Sequence, residues 1–173
     1  MSLFKKLVGI SYDLDSDPDY SEALEKMKAL FSTHEEKTSQ FYAAFSFLLA
    51  RVANTDSNVT DAEKVAIRDI LINQCGLSTQ LAEAIQSLAV EKTVSNKVEN
   101  HIIVRKLNEV ASRDQKYMVI RSLLMVAKDE DITEQESEQI ALIASGLMLS
   151  RKEFIQIRSE FREYLRVLKN LPK

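Results

Sequence analysis

The chain has 173 residues, of which 45% are hydrophobic, with only 3 Gly and 2 Pro. This length fits one domain, and short amphipathic runs with few helix breakers predict an all-α fold with brief loops. A net charge of −3 gives no general attraction to nucleic acid, so we expect no nucleic-acid partner. One Cys excludes an internal disulfide and, with two His, argues against a thiolate zinc site. No apolar run reaches the roughly 20 residues that span a bilayer, and we expect a cytoplasmic protein.

Residues 1–20 are predicted to be an N-terminal extension that ends in an acidic linker, followed by one helical domain over 21–173. Residues 11–22 carry four Asp, one Glu and Pro18, a composition that favours solvation over packing. Residues 3–8 place four apolar side chains around two lysines. Three interpretations stay open for this stretch: a disordered tail, a segment tucked onto the domain, or peripheral contact with a membrane surface. The apolar side chains are Leu3, Phe4, Leu7 and Val8.

The first half of the domain is predicted to contain four helices. A short one covers residues 24–31, and Thr33 to Glu36 has the capping-box form that would start the next. That second helix, over 36–54, carries a wide apolar stripe and is predicted to be central in the core. Thr60 opens a third helix, which Gly76 can end in a left-handed conformation. A fourth helix follows, opened by Leu77-Ser78.

The second half repeats this plan. Helical periodicity fades over residues 90–97, where we place the connection between the halves. A helix over about 98–110 precedes a second central helix over 114–128. A capped helix follows, and Leu149-Ser150 then opens a last helix. Cationic and apolar residues form separate stripes along that last helix as far as Lys169, which is typical of a solvated face.

An eight-residue pattern, Asp-x-(Asn/Asp)-(Val/Ile)-Thr-(Asp/Glu)-x-Glu, occurs at 56–63 and again at 129–136. Each copy follows a helix ending in Val-Ala and precedes another helix, so each marks a helix-loop-helix corner. We name the copies corner one and corner two. The repetition predicts seven to eight helices in two pseudo-symmetric halves, about 36–92 and 97–170, that share one core. The flanking Ala53 and Ala127 are 74 residues apart and the two patterns 73, so the loop lengths differ by one residue.

Helix capping explains most of each corner. Thr60 with Glu63 and Thr133 with Glu136 have capping-box form, in which the Thr hydroxyl and the Glu carboxylate each accept a backbone N–H. Capping leaves Asp56 and Asp129 unexplained, because each follows a helix C-terminus where negative charge gains nothing from the helix dipole. Either residue could close its turn by bonding its own backbone.

The alternative is a divalent-cation site, since each corner gathers hard oxygen ligands of the kind that Ca²⁺ or Mg²⁺ prefers. The corners are not EF-hands, because position 6 lacks Gly and position 12 lacks Glu in both copies. Corner two has more carboxylates and is the better candidate of the two. The candidate ligands are Asp56, Asn58 and Glu63 in corner one and Asp129, Asp131 and Glu136 in corner two.

This arrangement resembles the TerB-like tellurite-resistance family, whose fold also occurs in the cytosolic part of DjlA-type membrane co-chaperones. The features that carry the resemblance are an apolar helix ending in Val-Ala, an Asp, a helix beginning (Val/Ile)-Thr-x-x-Glu, and then Gly76-Leu77-Ser78 opening the next helix. The resemblance covers roughly residues 35–165. It implies an all-helical cytosolic domain with an acidic metal-binding cluster and a role in stress response or membrane-associated complexes. Where the family usually has Asp-Gly, this chain has Asp56-Ser57 and Asp129-Glu130.

The sequence therefore predicts a non-enzymatic module that binds a protein partner, with corners that either hold a cation or present charge. The alternative is a metal-free adaptor, in which the corners are only helix caps and the exposed helix faces bind another protein. No Ser/Cys-His pairing and no Gly-rich phosphate loop supports catalysis. Cys75, at a helix end, is expected to be a small buried hydrophobe.

Overall fold

The part of the chain that the structure describes is mostly helical. A computed structural model describes residues 22, 26–27, 29–31, 33–55, 57–95, 99–128 and 131–166, and these contain no strand. The all-α prediction is confirmed. The helices with defined bounds are α1 Glu36–Ala53, α2 Asp61–Cys75, α3 Thr79–Val94, α4 Asn100–Val110, α5 Arg113–Ala127, α6 Glu134–Gly146 and α7 Arg151–Ser159, followed by a 3-10 turn, Arg162–Tyr164.

Helix α1 forms the centre of the fold. Every residue from 43 to 50 is buried, so this part of the helix has no face in water. A helix that is buried all round must be enclosed by others, and α1 contacts each helix from α2 to α6. Small residues such as Ala43 and Ala44 let neighbouring backbones approach, while Phe45 and Phe47 fill the space between them. The buried Ser46 hydroxyl donates to the Ala43 carbonyl at 2.8 Å, so it is not left unsatisfied.

Helix α5 is the central helix of the second half and packs against α1, α2, α6 and α7. Its buried residues include Val119, Ile120 and Leu123, while Arg121 stays on the surface. Arg121 makes a bidentate ion pair with Glu160, at 2.8 Å for both N–O contacts. The helices predicted over 36–54 and 114–128 are thus observed, and superposition of the two halves remains a prediction.

Residues before α1 add to the core. Glu22, Lys26, Met27, Ala29 and Leu30 are helical, and Met27 is fully buried. The Glu22 carboxylate pairs with the Lys26 ammonium at 2.8 Å and with the Lys92 ammonium at 3.2 Å. This contact joins the N-terminal helical residues to the end of α3. The predicted domain start at residue 21 stays a prediction, because residues 1–21 lie outside the described residues.

The predicted capping box at Thr33 is wrong. Helix α1 begins at Glu36 after Glu35, and no side chain caps it. Residues 33 and 34 instead form a turn, in which the His34 N–H donates to the Phe31 carbonyl at 2.8 Å. The buried Phe31 ring packs edge-on against the His34 ring, with 5.5 Å between centroids. This packing takes the chain through a turn at the point where a cap would need extended backbone.

The connection between the halves is shorter than predicted, because α3 continues to Val94. Lys92 and Thr93 are both buried on this last turn. A lysine can bury its aliphatic stem and keep its ammonium paired, and Lys92 does so through Glu22. In the sequence, Lys92 therefore interrupts the apolar pattern of α3. In the structure, its side chain lies on the buried face of that helix.

The last helix is also shorter than predicted and ends at Ser159. The chain then makes a 3-10 turn and becomes extended at Leu165, whose ψ is 109°. Backbone pairing with corner two causes this change: the Ile132 N–H donates to the Tyr164 carbonyl at 2.7 Å, and the Arg166 N–H donates to the Ile132 carbonyl at 3.1 Å. The stretch predicted to continue to Lys169 lies outside the described residues beyond Arg166.

The two halves use different residues for the same left-handed position. Gly76 has φ +67° after α2, and Met148 has φ +63° after α6. Each is followed by Leu-Ser, and Ser78 and Ser150 are both N-caps of the next helix. The Gly76 prediction is confirmed. Met148 adopts the same conformation with a side chain, although left-handed backbone disfavours any residue that has a Cβ.

We expect opposite effects from exchanging the residues at these two positions. Gly76→Ala should destabilise by about 1 kcal/mol, while Met148→Gly should stabilise by about 0.5–1 kcal/mol. A Cβ at Gly76 would meet no atom within 4 Å, so the cost there is conformational and not steric. Chemical denaturation measures both free energies of unfolding. A stabilising Gly76→Ala would contradict the left-handed assignment.

Candidate functional site: the two acidic corners

Corner one begins with a tight turn at the end of α1. Asn54 is the C-cap residue, and the Ser57 N–H donates to its carbonyl at 3.0 Å. Ser57 has φ +67°, a left-handed conformation that favours glycine. This is the position where the resemblance expects Gly. Ser57 thus adopts a conformation that glycine would adopt without strain.

Corner two contains the same turn. Lys128 is the C-cap residue of α5, the Asp131 N–H donates to its carbonyl at 3.3 Å, and Asp131 has φ +71°. Ser57 and Asp131 are therefore equivalent, and they are 74 residues apart. The capping residues Thr60 and Thr133 are 73 apart. The one-residue length difference thus lies between the turn and the cap, and Asp131 corresponds to Ser57 and not to Asn58.

Both predicted capping boxes are confirmed. In corner one, the Glu63 N–H donates to the Thr60 hydroxyl at 3.1 Å, and the Thr60 N–H donates to Glu63 Oε2 at 2.8 Å. In corner two, the corresponding distances between Thr133 and Glu136 are 3.2 and 2.8 Å. Each Thr hydroxyl also bonds the same carboxylate oxygen. Oε2 of each glutamate is therefore already engaged in starting a helix.

The remaining candidate ligands are not gathered into one cluster within the described residues. Asn58 is exposed and Asp131 is half-buried. Asp56 and Asp129 lie outside the described residues, so the metal-site prediction remains open. Among the residues that are described, no group of three or more His, Cys, Asp or Glu side chains is arranged to hold a metal ion.

Sequence reasoning missed two residues that lie just before the corners, at the C-caps of α1 and α5. Asn54 Oδ1 is buried and has no hydrogen-bond partner among the described residues. The equivalent residue in corner two is Lys128, whose ammonium lies over the Tyr164 ring, 5.3 Å from its centroid. Aligning the halves on Ala53 and Ala127 would have placed Asn54 opposite Lys128. The corners therefore differ by a positive charge at this position.

The corners also differ in what packs against them. Corner two is fixed by the C-terminal chain, through the backbone pairing of Ile132 with Tyr164 and Arg166. The residue before corner one contacts the second half, because the Thr55 hydroxyl donates to Gln139 Oε1 at 2.5 Å. Gln139 lies six residues, or roughly 9 Å along the helix axis, from the Thr133 cap. Corner one thus sits beside the helix that corner two begins.

Cys75 offers no nucleophile near these corners. Burial raises the pKa of its thiol to about 12, so the thiol stays protonated at neutral pH. The Tyr42 hydroxyl donates to the Cys75 carbonyl at 3.0 Å, which ties the end of α2 to α1. Cys75 is half-buried and packs against the core, so it is a small hydrophobe as expected but not a fully buried one.

A family model described as "Tellurite resistance protein TerB" matches residues 42–159. The chain belongs to the TerB family. The TerB match runs from within α1 to the end of α7 and includes both corners, so it confirms the resemblance seen in the sequence. No curated protein and no solved structure matches the chain. Within the described residues of this TerB-family chain, no helix combines the length and apolar character needed to cross a bilayer.

The capping boxes predict a stability effect. Thr60→Ala and Thr133→Ala should each destabilise by roughly 0.5–2 kcal/mol, because the Glu63 and Glu136 N–H groups lose their acceptors. Denaturation midpoints measure the loss, and the conservative change to Ser at either position should restore most of it. Unchanged midpoints for both alanine variants would contradict the caps.

A third capping box, at Ser150, predicts a dependence on pH. The Ser150 hydroxyl donates to Glu153, and with the Tyr117 hydroxyl and the Arg113 guanidinium it lowers the pKa of Glu153 from 4.5 to about 2. A carboxyl whose pKa is lower in the folded state stabilises the fold above its unfolded pKa. That contribution is lost as the pH falls toward the folded pKa.

Glu153→Gln should therefore lower stability at pH 7, and its difference from the natural chain should shrink as the pH falls from about 4.5 to about 2. Denaturation midpoints across this range measure the difference. Glu163→Gln, at an exposed position, is the control and should follow the natural chain at each pH. A difference for Glu153→Gln that stays constant from pH 7 to pH 2 would contradict the assignment.

Proposed function

We propose that this TerB-family protein is a non-enzymatic binding module of a tellurite-resistance or stress-response system in the cytoplasm. In this proposal corner one binds a divalent cation, Ca²⁺ or Mg²⁺, and the module acts on a protein partner. Family membership supports the tellurite-resistance context. The corner geometry supports the choice of corner one.

The observation that carries the cation proposal is the buried Asn54 Oδ1. A buried acceptor without a partner costs about 1–3 kcal/mol, so such atoms usually have an ion or water beside them. Asn54 precedes Asp56 by two residues and Asn58 by four, and amide and carboxylate oxygens are ligands that Ca²⁺ accepts. The left-handed Ser57 lies between these residues. Strained backbone of this kind often occurs at ligand sites.

Corner two is less suited to a cation, although it contains more carboxylates. Lys128 is the C-cap residue equivalent to Asn54, and its positive charge would repel a divalent ion. The Ile132 N–H and carbonyl are both used by the C-terminal chain, so this carbonyl has a partner already. The structure therefore favours corner one, whereas the count of carboxylates in the sequence favours corner two.

A second candidate function is a metal-free adaptor, and two observations favour it. The Glu63 and Glu136 carboxylates already serve as helix caps. Large apolar side chains are also exposed on the second half, which is typical of protein-binding surfaces. In this alternative the corners only start helices, and the exposed helix faces bind the partner, with membrane contact through residues 3–8.

Thermal melting with and without millimolar Ca²⁺ or Mg²⁺ separates the two functions. A cation that binds only the folded state stabilises it by about 2.7 kcal/mol at one hundred times Kd. We expect the cation to raise the melting temperature of the natural chain and of Asp129→Asn/Glu136→Gln. Asp56→Asn/Glu63→Gln should abolish this rise, because the charged ligands of corner one are lost.

The metal-free melting temperature is the control. Gln can still complete a capping box, so both double variants should melt close to the natural chain when no cation is present. If all three proteins melt alike with and without the cation, the cation proposal is wrong and the adaptor remains. Loss of the rise in Asp129→Asn/Glu136→Gln alone would assign the cation to corner two.

A further inference from the structure

Helices α6 and α7 enclose an open apolar groove on the surface of the second half. Leu142 is 75% exposed and Ile155 47% exposed, and both belong to the groove. Its volume is about 520 Å³, within the range of sites that bind ligands in proteins. We call it the α6/α7 groove. Its main lining residues are Glu138, Leu142, Leu149, Arg151, Phe154 and Ile155.

We propose that residues 3–8 of this chain dock in the α6/α7 groove. This segment has Leu3, Phe4, Leu7 and Val8 at helical spacing, so one face of a short helix would carry all four apolar side chains. An amphipathic helix in an apolar groove is a common mode of recognition. The proposal concerns a surface apart from the corners and does not depend on cation binding.

The charges of the groove and of the segment are complementary. Glu138 lies on the exposed side of α6, one turn before Leu142, where it can meet Lys5 or Lys6. Arg151 and Arg158 line the same groove and can meet the acidic residues that follow the segment, at 13–19. The groove thus has both negative and positive side chains. The first 20 residues also carry both charges, with the lysines before the acidic residues. Opposite charges in such an arrangement fix the orientation of a bound segment.

The length of the chain makes this occupant available. Glu22, held by Lys92, is separated from Val8 by residues 9–21, which can span up to about 45 Å when extended. A domain of this size has a radius of gyration of about 16 Å, so a linker of this length reaches a large part of its surface. A tethered segment has an effective concentration near the millimolar range, which favours it over a dilute separate partner.

Docking would make membrane contact and groove occupancy mutually exclusive, because both use the apolar face of residues 3–8. In the docked state Leu142 and Ile155 are covered and the apolar face is withheld from lipid. In the released state both surfaces become available. The module then has a contact within its own chain that limits binding to other surfaces.

The chain has no Trp, so Phe4→Trp introduces a single fluorescent reporter into the segment. We expect blue-shifted emission from Phe4→Trp in the full chain without vesicles, compared with a peptide of residues 1–20 carrying the same change. Adding Leu142→Glu should shift the emission to that of the peptide. Val65→Glu is the matched control, because Val65 is 45% exposed on α2, and it should leave the blue shift intact.

Charge reversal tests the orientation. Lys5→Glu/Lys6→Glu should weaken the blue shift, and Glu138→Lys in the same chain should restore part of it. Circular dichroism should show that each variant keeps its helices, as expected for exposed positions.

Three results would overturn the proposal. Emission that Leu142→Glu does not change would mean that the segment is not in the groove. A blue shift that disappears on dilution would assign the groove to a second copy of the chain. A blue shift seen only after adding anionic phospholipid vesicles would assign residues 3–8 to a membrane surface.

Discussion

The fold depends on the complete enclosure of α1. Its middle two turns have no exposed side, so five other helices must pack around it for the chain to be stable. Truncating one buried aromatic such as Phe45 would cost about 3–5 kcal/mol, a large share of the roughly 5–15 kcal/mol that stabilises a typical domain. The small residues matter as much as the large ones, because Ala43, Ala44 and Ala50 leave room for the backbones of neighbouring helices.

The enclosure of α1 also explains the shape of the corners. Corner one leaves a buried helix at Ala53 and enters a capped helix at Asp61, so both ends of the loop are fixed by packing. Between these ends the chain needs a left-handed residue, and it uses Ser57 in place of glycine. A cost of the order of 1 kcal/mol at this position is small beside the burial on either side. The packing of the two flanking helices therefore outweighs the strain at Ser57.

Much of this architecture could be predicted from the sequence, since helical periodicity and capping motifs depend on near neighbours. The starts of α2 and α6 follow from Thr60 and Thr133, and the end of α2 follows from Gly76. The failures involve distant contacts. The sequence does not show that Lys92 is buried, because its ammonium pairs with Glu22, which is 70 residues away in the chain. The early end of α7 depends on the pairing of Leu165 with Ile132. Of the candidate site, the caps were predictable, but the buried Asn54 oxygen depends on packing that a linear pattern does not contain.

Because corner two pairs with the C-terminal chain, the folded domain extends beyond the region that the family model matches. The TerB match ends at residue 159, whereas the backbone partners of Ile132 are Tyr164 and Arg166. A fragment cut to the family boundaries would also lose Met27 and Phe31, which are buried in the core. It would expose apolar surface at one end and leave the peptide groups of a buried loop residue without partners at the other. Expression fragments and domain fusions of this protein should therefore keep the chain on both sides of the region that the family model matches.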